Sequence, residues 1–183
     1  MLDAEFESTL TAAQSGAEWA WSQLYHSVAR QVLGYLRAQG AKEADDLLGE
    51  VFVHVARGIG KFEGTEAGFR SWVFTVAHHR VIDERRSRRR HPVDAVETVA
   101  DSPSPDRSPT DQALETLAPE QVRELIDQLV PAQRDVMMLR IVAGMTVPEI
   151  AEVLGRSPGG VKALQRRAIA SLRRILKDQG VSL

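Results

Sequence analysis

A stretch near the middle of the chain limits what the rest can build. Residues 91–118 carry prolines at 92, 103, 105 and 109, and proline removes a backbone donor and breaks a helix interior. Asp and Ser are frequent there and large apolar residues are few, so the segment buries too little surface to offset its chain entropy. It is expected to be a flexible acidic linker. Each flank must then close a hydrophobic core of its own, and three parts are expected: a domain over 1–90, the linker over 91–118 and a second domain over 119–183.

Both flanks read as helical. In the first, Trp19, Leu24, Tyr25, Val28, Val32, Leu33, Tyr35 and Leu36 recur at helical spacing, and Gly40 is expected to end that helix. A second helix is expected from about Ala44 to Ala56. Asp45 and Asp46 stand at its start, where cap and dipole favour acids. The segment 58–68 holds four glycines and reads as a loop. A third helix is expected from about Phe69, burying Trp72, Val73, Val76, Ala77 and Val81. In the second flank, Val122, Leu125, Ile126 and Leu129 form a stripe ended by Pro131, and a helix over Val136–Val142 is ended by Gly144. No strand signal stands out, so the expected fold class is all-α: two small helical domains, the second a helix-turn-helix.

Residues 146–177 carry that second pattern. Thr146 with Glu149 three residues on makes a capping box, and Pro148 suits an early helical position. Ala151 is small where two helices must approach, and Gly155 permits the turn between them. Ser157 caps the next helix and Pro158 takes its first position. Val161, Leu164, Ala168, Leu172, Ile175 and Leu176 are expected to face the core. Lys162, Gln165, Arg166, Arg173 and Arg174 are left on the remaining surface. Such a helix suits the major groove, because cations neutralise phosphates and Gln and Arg hydrogen-bond base edges.

Charge agrees once it is resolved along the chain. The net charge is −2, but Arg80–Arg90 holds six arginines, and seven basic residues face one acid from Arg156 onward. Between them, residues 91–120 hold seven acids and one arginine. Two basic patches with an acidic stretch between them suit a polyanion partner.

Other chemistry finds little support. The chain has no cysteine, which excludes disulfides and thiolate sites. Glu50 and His54 lie one helical turn apart, but no second ligand pair follows, so no metal is expected. No glycine-rich phosphate loop follows a strand, and no nucleophile has a nearby base. Neither a cofactor nor an enzymatic activity is expected. The acidic start Met1–Glu7 differs from a basic, apolar secretory signal, and no apolar run approaches the ~20 residues of a membrane span. The expected location is cytoplasmic, with no membrane partner.

Two features of the first flank offer surfaces. Asp46 and Glu50 share a helix face, with Leu47, Val51 and Phe52 as apolar area beside them or as core. In the segment 58–68, Lys61 offers charge and Phe62 offers either a stacking surface for an unpaired base or an anchor to the core. Trp72 has core spacing with Phe69 and Val76.

The run Asp45-Asp46-Leu47-Leu48-Gly49-Glu50-Val51-Phe52-Val53-His54-Val55 and the run Phe69-Arg70-Ser71-Trp72-Val73-Phe74-Thr75-Val76-Ala77-His78-His79-Arg80-Val81-Ile82-Asp83-Glu84-Arg85-Arg86 resemble the extracytoplasmic-function group of sigma-70-type factors. Pro131–Arg140 and the helix-turn-helix resemble the same group's domain for the minus-35 promoter element. The resemblance implies a sigma factor that directs bacterial RNA polymerase core to promoters. It implies docking on the beta-prime clamp helices through Asp46, Leu47, Glu50, Val51 and Phe52, with the beta flap as a further contact. It assigns the minus-10 element to Lys61, Phe62, Arg70, Trp72, His78, Arg80, Arg85 and Arg86. The minus-35 element falls to Ser157, Gly159, Gly160, Lys162, Gln165, Arg166 and Arg167. An anti-sigma protein is a further partner that the resemblance suggests. Gly49 departs from the group, where a polar helix former such as Gln is usual, as do Gly160, where Thr is common, and Leu164-Gln165, where Arg-Leu is usual. The alternative reading is a helix-turn-helix regulator that acts alone.

Overall fold

The computed structural model describes residues 3–90 and 124–178. The chain divides into two compact units, one built on each of these stretches. Every regular element among the described residues is helical. None of the described helices is long and apolar enough to cross a membrane. The expected linker, and Val122 of the expected stripe, lie outside the described residues.

The first unit consists of α1 (Asp3–Gln14), α2 (Glu18–Ala38), α3 (Ala44–Gly58), a 3-10 turn (Ile59–Lys61) and α4 (Glu66–Arg90). Helix α1 packs on α2, and α2 packs on α3 and α4. Leu24, Val32, Tyr35, Leu36, Val51, Val55, Phe69, Val73, Phe74 and Ala77 fill the core. Helix α2 stops as expected at Gly40, which has φ +78°. The N–H of Gly40 bonds to the carbonyl of Arg37, and that of Ala41 to the carbonyl of Leu36. This crossed pair satisfies the last carbonyls of the helix, and the left-handed residue it needs is cheapest as glycine.

Several expectations change. Trp19 is 60% exposed: the buried register of α2 runs Ala20, Leu24, Val28, Val32, and Trp19 sits one residue out of step. Helix α1 carries no long aliphatic stripe, yet it buries Phe6, Leu10 and Ala13. The expected loop over 58–68 shrinks. Gly58 ends α3, the 3-10 turn follows, and α4 starts at Glu66 rather than near Phe69. Thr65 makes that earlier start possible, because its Oγ1 accepts the N–H of Gly68 at 3.2 Å and so caps the first turn. The start of α3 is not capped by a side chain; Asp45 and Asp46 stand in its first turn and favour it through the dipole, and Asp45 also pairs with Arg37 at 3.2 Å.

Gly49 is exposed in the middle of α3, and a Cβ there would meet nothing within 4 Å. Glycine in a helix interior costs about 1 kcal/mol relative to alanine. Gly49→Ala should therefore raise the unfolding free energy of the free protein by about 1 kcal/mol, measured by urea titration of helical ellipticity. A decrease would show that α3 needs the glycine for its own packing.

The second unit contains helical residues 124–127, α5 (Pro131–Ile141), α6 (Val147–Val153) and α7 (Pro158–Asp178). Pro131 both ends the preceding stripe and opens α5, where its missing N–H would be unpaired in any case. Arg134 reaches back to the Asp127 carboxylate at 3.4 Å and ties the two segments together. Helix α7 lies against α5 and buries Val161, Ala168, Leu172 and Leu176. Leu164 and Ile175, expected inside, are only half-buried.

Candidate nucleic-acid interface

The helix-turn-helix is built by short-range bonds that its sequence specifies. The N–H of Thr146 donates to Glu149 Oε2 at 2.6 Å, and the N–H of Glu149 points back to Thr146 Oγ1 at 3.5 Å. These two N–H groups at the start of α6 thus find partners in each other's side chains. Gly155 takes φ +60°, which an L side chain adopts at a cost, and turns the chain into α7. Ser157 Oγ accepts the N–H of Gly160 at 3.1 Å, and Pro158 occupies the first helical position. Ala151 and Ile150 are buried on the facing side.

Helix α7 then divides cleanly. Its apolar stripe is buried, while Lys162, Arg166, Arg167, Arg173 and Arg174 are exposed and Gln165 is half-exposed. Lys162, Arg166 and Arg167 form no ion pair among the described residues. Ser157 and Gly159 are exposed at the helix start, and a Cβ on Gly159 would meet nothing within 4 Å. On Gly160 a Cβ would lie 3.2 Å from Ser157 Oγ, so the cap itself favours a residue without a side chain there. The result is an exposed, serine-capped helix N-terminus followed by a row of cations without ion pairs among the described residues, a surface complementary to phosphate.

The first unit presents two surfaces. On α3, Asp46, Glu50 and Val53 are exposed, Val53 by 51%. Leu47, Val51 and Phe52 are in the core, at 9%, 0% and 6% exposure, which is the second of the two readings the sequence leaves open for them. Phe52 packs its ring on Tyr25 at 4.5 Å and edge-on to Trp21 at 6.4 Å. The physical reason is register: Leu48, Val51, Phe52 and Val55 form the inward stripe, and the residue that shares the acidic face is Val53, three beyond Glu50. Helical periodicity from Asp46 carried that signal.

The second surface is the turn between α3 and α4. Phe62 stacks on Trp72 with centroids 5.2 Å apart and planes 10° from parallel, and it meets Phe69 edge-on at 5.8 Å. Both Phe62 and Trp72 are half-buried, and Lys61 is exposed beside them. Gly58 makes room for this packing: a Cβ there would come within 2.7 Å of the Trp72 ring. The two readings of Phe62 therefore meet in one geometry, a ring anchored on Trp72 with part of its surface in solvent.

The basic residues of α4 are less uniform than the sequence suggests. His78 does not face outward. It is 6% exposed, and its Nδ1 lies 2.9 Å from the hydroxyl of Tyr35. Arg85 donates to the backbone oxygen of Gln39 at 2.9 Å and to its side-chain oxygen. Gln39 Nε2 in turn donates to the Tyr35 hydroxyl at 3.1 Å. Guanidinium donates only, which fixes the amide oxygen toward Arg85 and leaves the tyrosine proton for His78. His78, Tyr35, Gln39 and Arg85 thus form one polar chain that ties α4 to the end of α2. Arg80 is drawn toward Glu50 at 3.7 Å, Arg86 toward Asp83 at 3.8 Å, and Arg70 lies over the Phe74 ring at 5.9 Å.

Comparison with known proteins agrees with both units. Residues 21–91 match the model for sigma-70 region 2, and residues 119–172 match that for sigma-70 region 4. The chain is 30% identical to the ECF RNA polymerase sigma factor ShbA of Streptomyces griseus, covering 81% of this chain and 80% of that one. It belongs to the ECF RNA polymerase sigma factors. This sigma factor is also 33% identical to BldN of Streptomyces coelicolor over 91% of its own length, but it spans only 64% of that longer relative. With CarQ of Myxococcus xanthus it shares 31% identity, covering 90% of this chain and 94% of that one. Among solved structures, CnrH in complex with the cytosolic domain of CnrY has the same fold, with a TM-score of 0.68 at 23% identity over 93% of this chain and 96% of that one. So does RpoE of Bartonella quintana, solved with the anti-sigma factor NepR, with a TM-score of 0.67 at 20% identity over 85% of this chain and 96% of that one.

Proposed function

We propose that this sigma factor directs RNA polymerase core to promoters by holding DNA at both ends of the chain while α3 is seated on the polymerase. The observation that carries the reading is the exposed cation row of α7 behind a fully capped helix-turn-helix, in a chain whose other unit matches region 2. In this reading residues 119–183 bind the minus-35 element as duplex, with Ser157, Gly159 and Gly160 at the phosphates and Lys162, Gln165, Arg166 and Arg167 along the major groove, where the cations also meet its flanking phosphates. They also meet the beta flap. Residues 1–90 hold the melted minus-10 element with Lys61, Phe62, Trp72 and Arg70, joined by Arg80 and Arg86 along α4. Arg85 contributes by fixing α4, and His78 only through the core. Residues 91–118 connect the two. Each contact alone is weak, and attachment of both units to one polymerase raises their effective concentration at the promoter. The protein acts by binding rather than by covalent chemistry, its location is cytoplasmic, and an anti-sigma protein is a further partner, as it is for RpoE of Bartonella quintana. A regulator that acts alone leaves the region 2 match without a purpose.

The polymerase contact is assigned to the outer face of α3, where Asp46 and Glu50 offer charge and Val53 offers apolar area to a basic helical partner. Asp46→Arg with Glu50→Arg should weaken capture of core polymerase by at least about tenfold, from like-charge contact at a docked face, without unfolding the protein. Co-elution with core polymerase and transcription from a duplex promoter measure both. Failure of the unaltered protein to bind core polymerase, or indifference to the double reversal, would overturn the reading.

A further inference from the structure

Gln14 is the last residue of α1 and is exposed, yet its amide is committed at long range. Its Nε2 donates to the carbonyl of Ile59 at 3.0 Å and to that of Phe62 at 2.8 Å. These carbonyls bracket the 3-10 turn that carries Lys61; that of Ile59 also accepts the N–H of Phe62 at 3.0 Å, so Gln14 adds a second, long-range bond at one end of the turn and a bond at the other. An exposed glutamine gives up side-chain freedom to hold two such bonds, so the arrangement needs a reason beyond solubility. Helix α1 grips the same turn from its core side as well. The Phe6 ring lies 5.9 Å from Phe69, and Phe69 in turn meets Phe62 at 5.8 Å and Trp72 at 6.1 Å. All of α1 precedes residue 21, where the region 2 match begins.

We propose that Gln14 is a positioning residue for minus-10 recognition, bracing the turn so that Lys61 and Phe62 meet the unpaired strand in a preformed geometry. This rests on the assignment of that turn to the minus-10 element made above. Without the brace the turn must be ordered when DNA arrives, and that ordering is subtracted from affinity. Gln14 itself touches no base in this scheme. Its contribution is to the shape of the surface, so its loss should also blunt discrimination between bases.

The test uses the full chain assembled with core polymerase and a promoter fragment selected by the unaltered holoenzyme. One version of the fragment has its minus-10 segment already unpaired by mismatches; another retains only the minus-35 duplex. Gln14→Leu removes both donors at nearly constant volume. It should weaken binding to the unpaired minus-10 fragment by about tenfold, the scale set by one to two neutral hydrogen bonds. It should also lower the preference for the selected minus-10 sequence over a scrambled one. Binding to the minus-35 duplex and to core polymerase should stay within about twofold, a margin smaller than the loss of one such bond. Gln14→Ser, which keeps the surface polar but cannot reach either carbonyl, should behave in the same way and guards against a misfolded leucine variant. Phe62→Ala serves as the reference. If Phe62→Ala weakens minus-10 binding while both Gln14 variants leave affinity and discrimination unchanged, the brace is wrong and the assignment of the turn survives. If Phe62→Ala also has no effect, the assignment itself falls and the brace with it.

Discussion

Replacing Lys162 and Arg166 together by glutamate should nearly abolish capture of minus-35 duplex by the holoenzyme, with affinity falling by at least about a hundredfold. The two side chains are one turn apart on the exposed face of α7 and carry no ion pair among the described residues. Among the described residues nothing competes with DNA for them. A cation at a base edge or phosphate contributes about 1–3 kcal/mol, and reversal adds repulsion to the loss. Two such contacts with the added repulsion reach the roughly 2.7 kcal/mol that a hundredfold represents. Salt dependence gives an independent reading, because each neutralised phosphate contributes about 0.9 to the slope of log affinity against log salt. The double variant should lose close to two units of slope, while its binding to core polymerase is unchanged. Thermal stability should also be unaffected, because the buried stripe of α7 is untouched. An unaltered salt slope would mean that this face of α7 does not meet the duplex.

The second large effect is on the fold. Tyr35→Phe should lower the unfolding free energy by about 2–4 kcal/mol. Tyr35 is fully buried, Gln39 and His78 are 4% and 6% exposed, and the tyrosine hydroxyl links them. Its removal keeps the ring but leaves a buried amide donor and a buried imidazole nitrogen without that partner. Losing each of these two buried bonds costs about 1–2 kcal/mol. The contrast is Arg80→Ala. That residue's partner Glu50 is 3.7 Å away and both side chains are well solvated, so the expected change is within about 1 kcal/mol. Urea titrations of both variants, followed by helical ellipticity, decide the matter. A Tyr35→Phe change no larger than that of Arg80→Ala would show the polar chain to be incidental.

These two predictions mark what the sequence makes legible and what it hides. The second unit is written in short-range terms. Thr146 with Glu149, Gly155, and Ser157 with Pro158 each act over three or four residues, and each does in space what its spacing implies. The helical class and the stop at Gly40 follow from equally local rules. Orientation is harder where residue type and register disagree. Leu47, Val51 and Phe52 read either as apolar surface beside Asp46 and Glu50 or as core, and an α3 packed on two neighbours draws all three inward and leaves Val53 outside. His78 belongs by position with Phe74 and Val81, one turn either side, although its chemistry suggests solvent. The distant Tyr35, itself bonded to Gln39, gives the buried ring a polar partner, and no local rule announces it. Arg85 reads as part of a basic run and yet holds the end of α2. Helix α1 escaped notice for a related reason: Phe6, Leu10 and Ala13 gain their partners from α2 and α4, and Gln14 finds its carbonyls 45 and 48 residues away.

The stacking of Phe62 on Trp72 has an experimental use. The chain contains three tryptophans, of which Trp19 stands largely in water and Trp21 lies beside Phe52. With those two changed to phenylalanine, the remaining indole lies directly beneath the turn. Its emission colour and accessibility to quenchers then report on that turn in the free protein, so any change in its packing can be followed optically without attaching a dye.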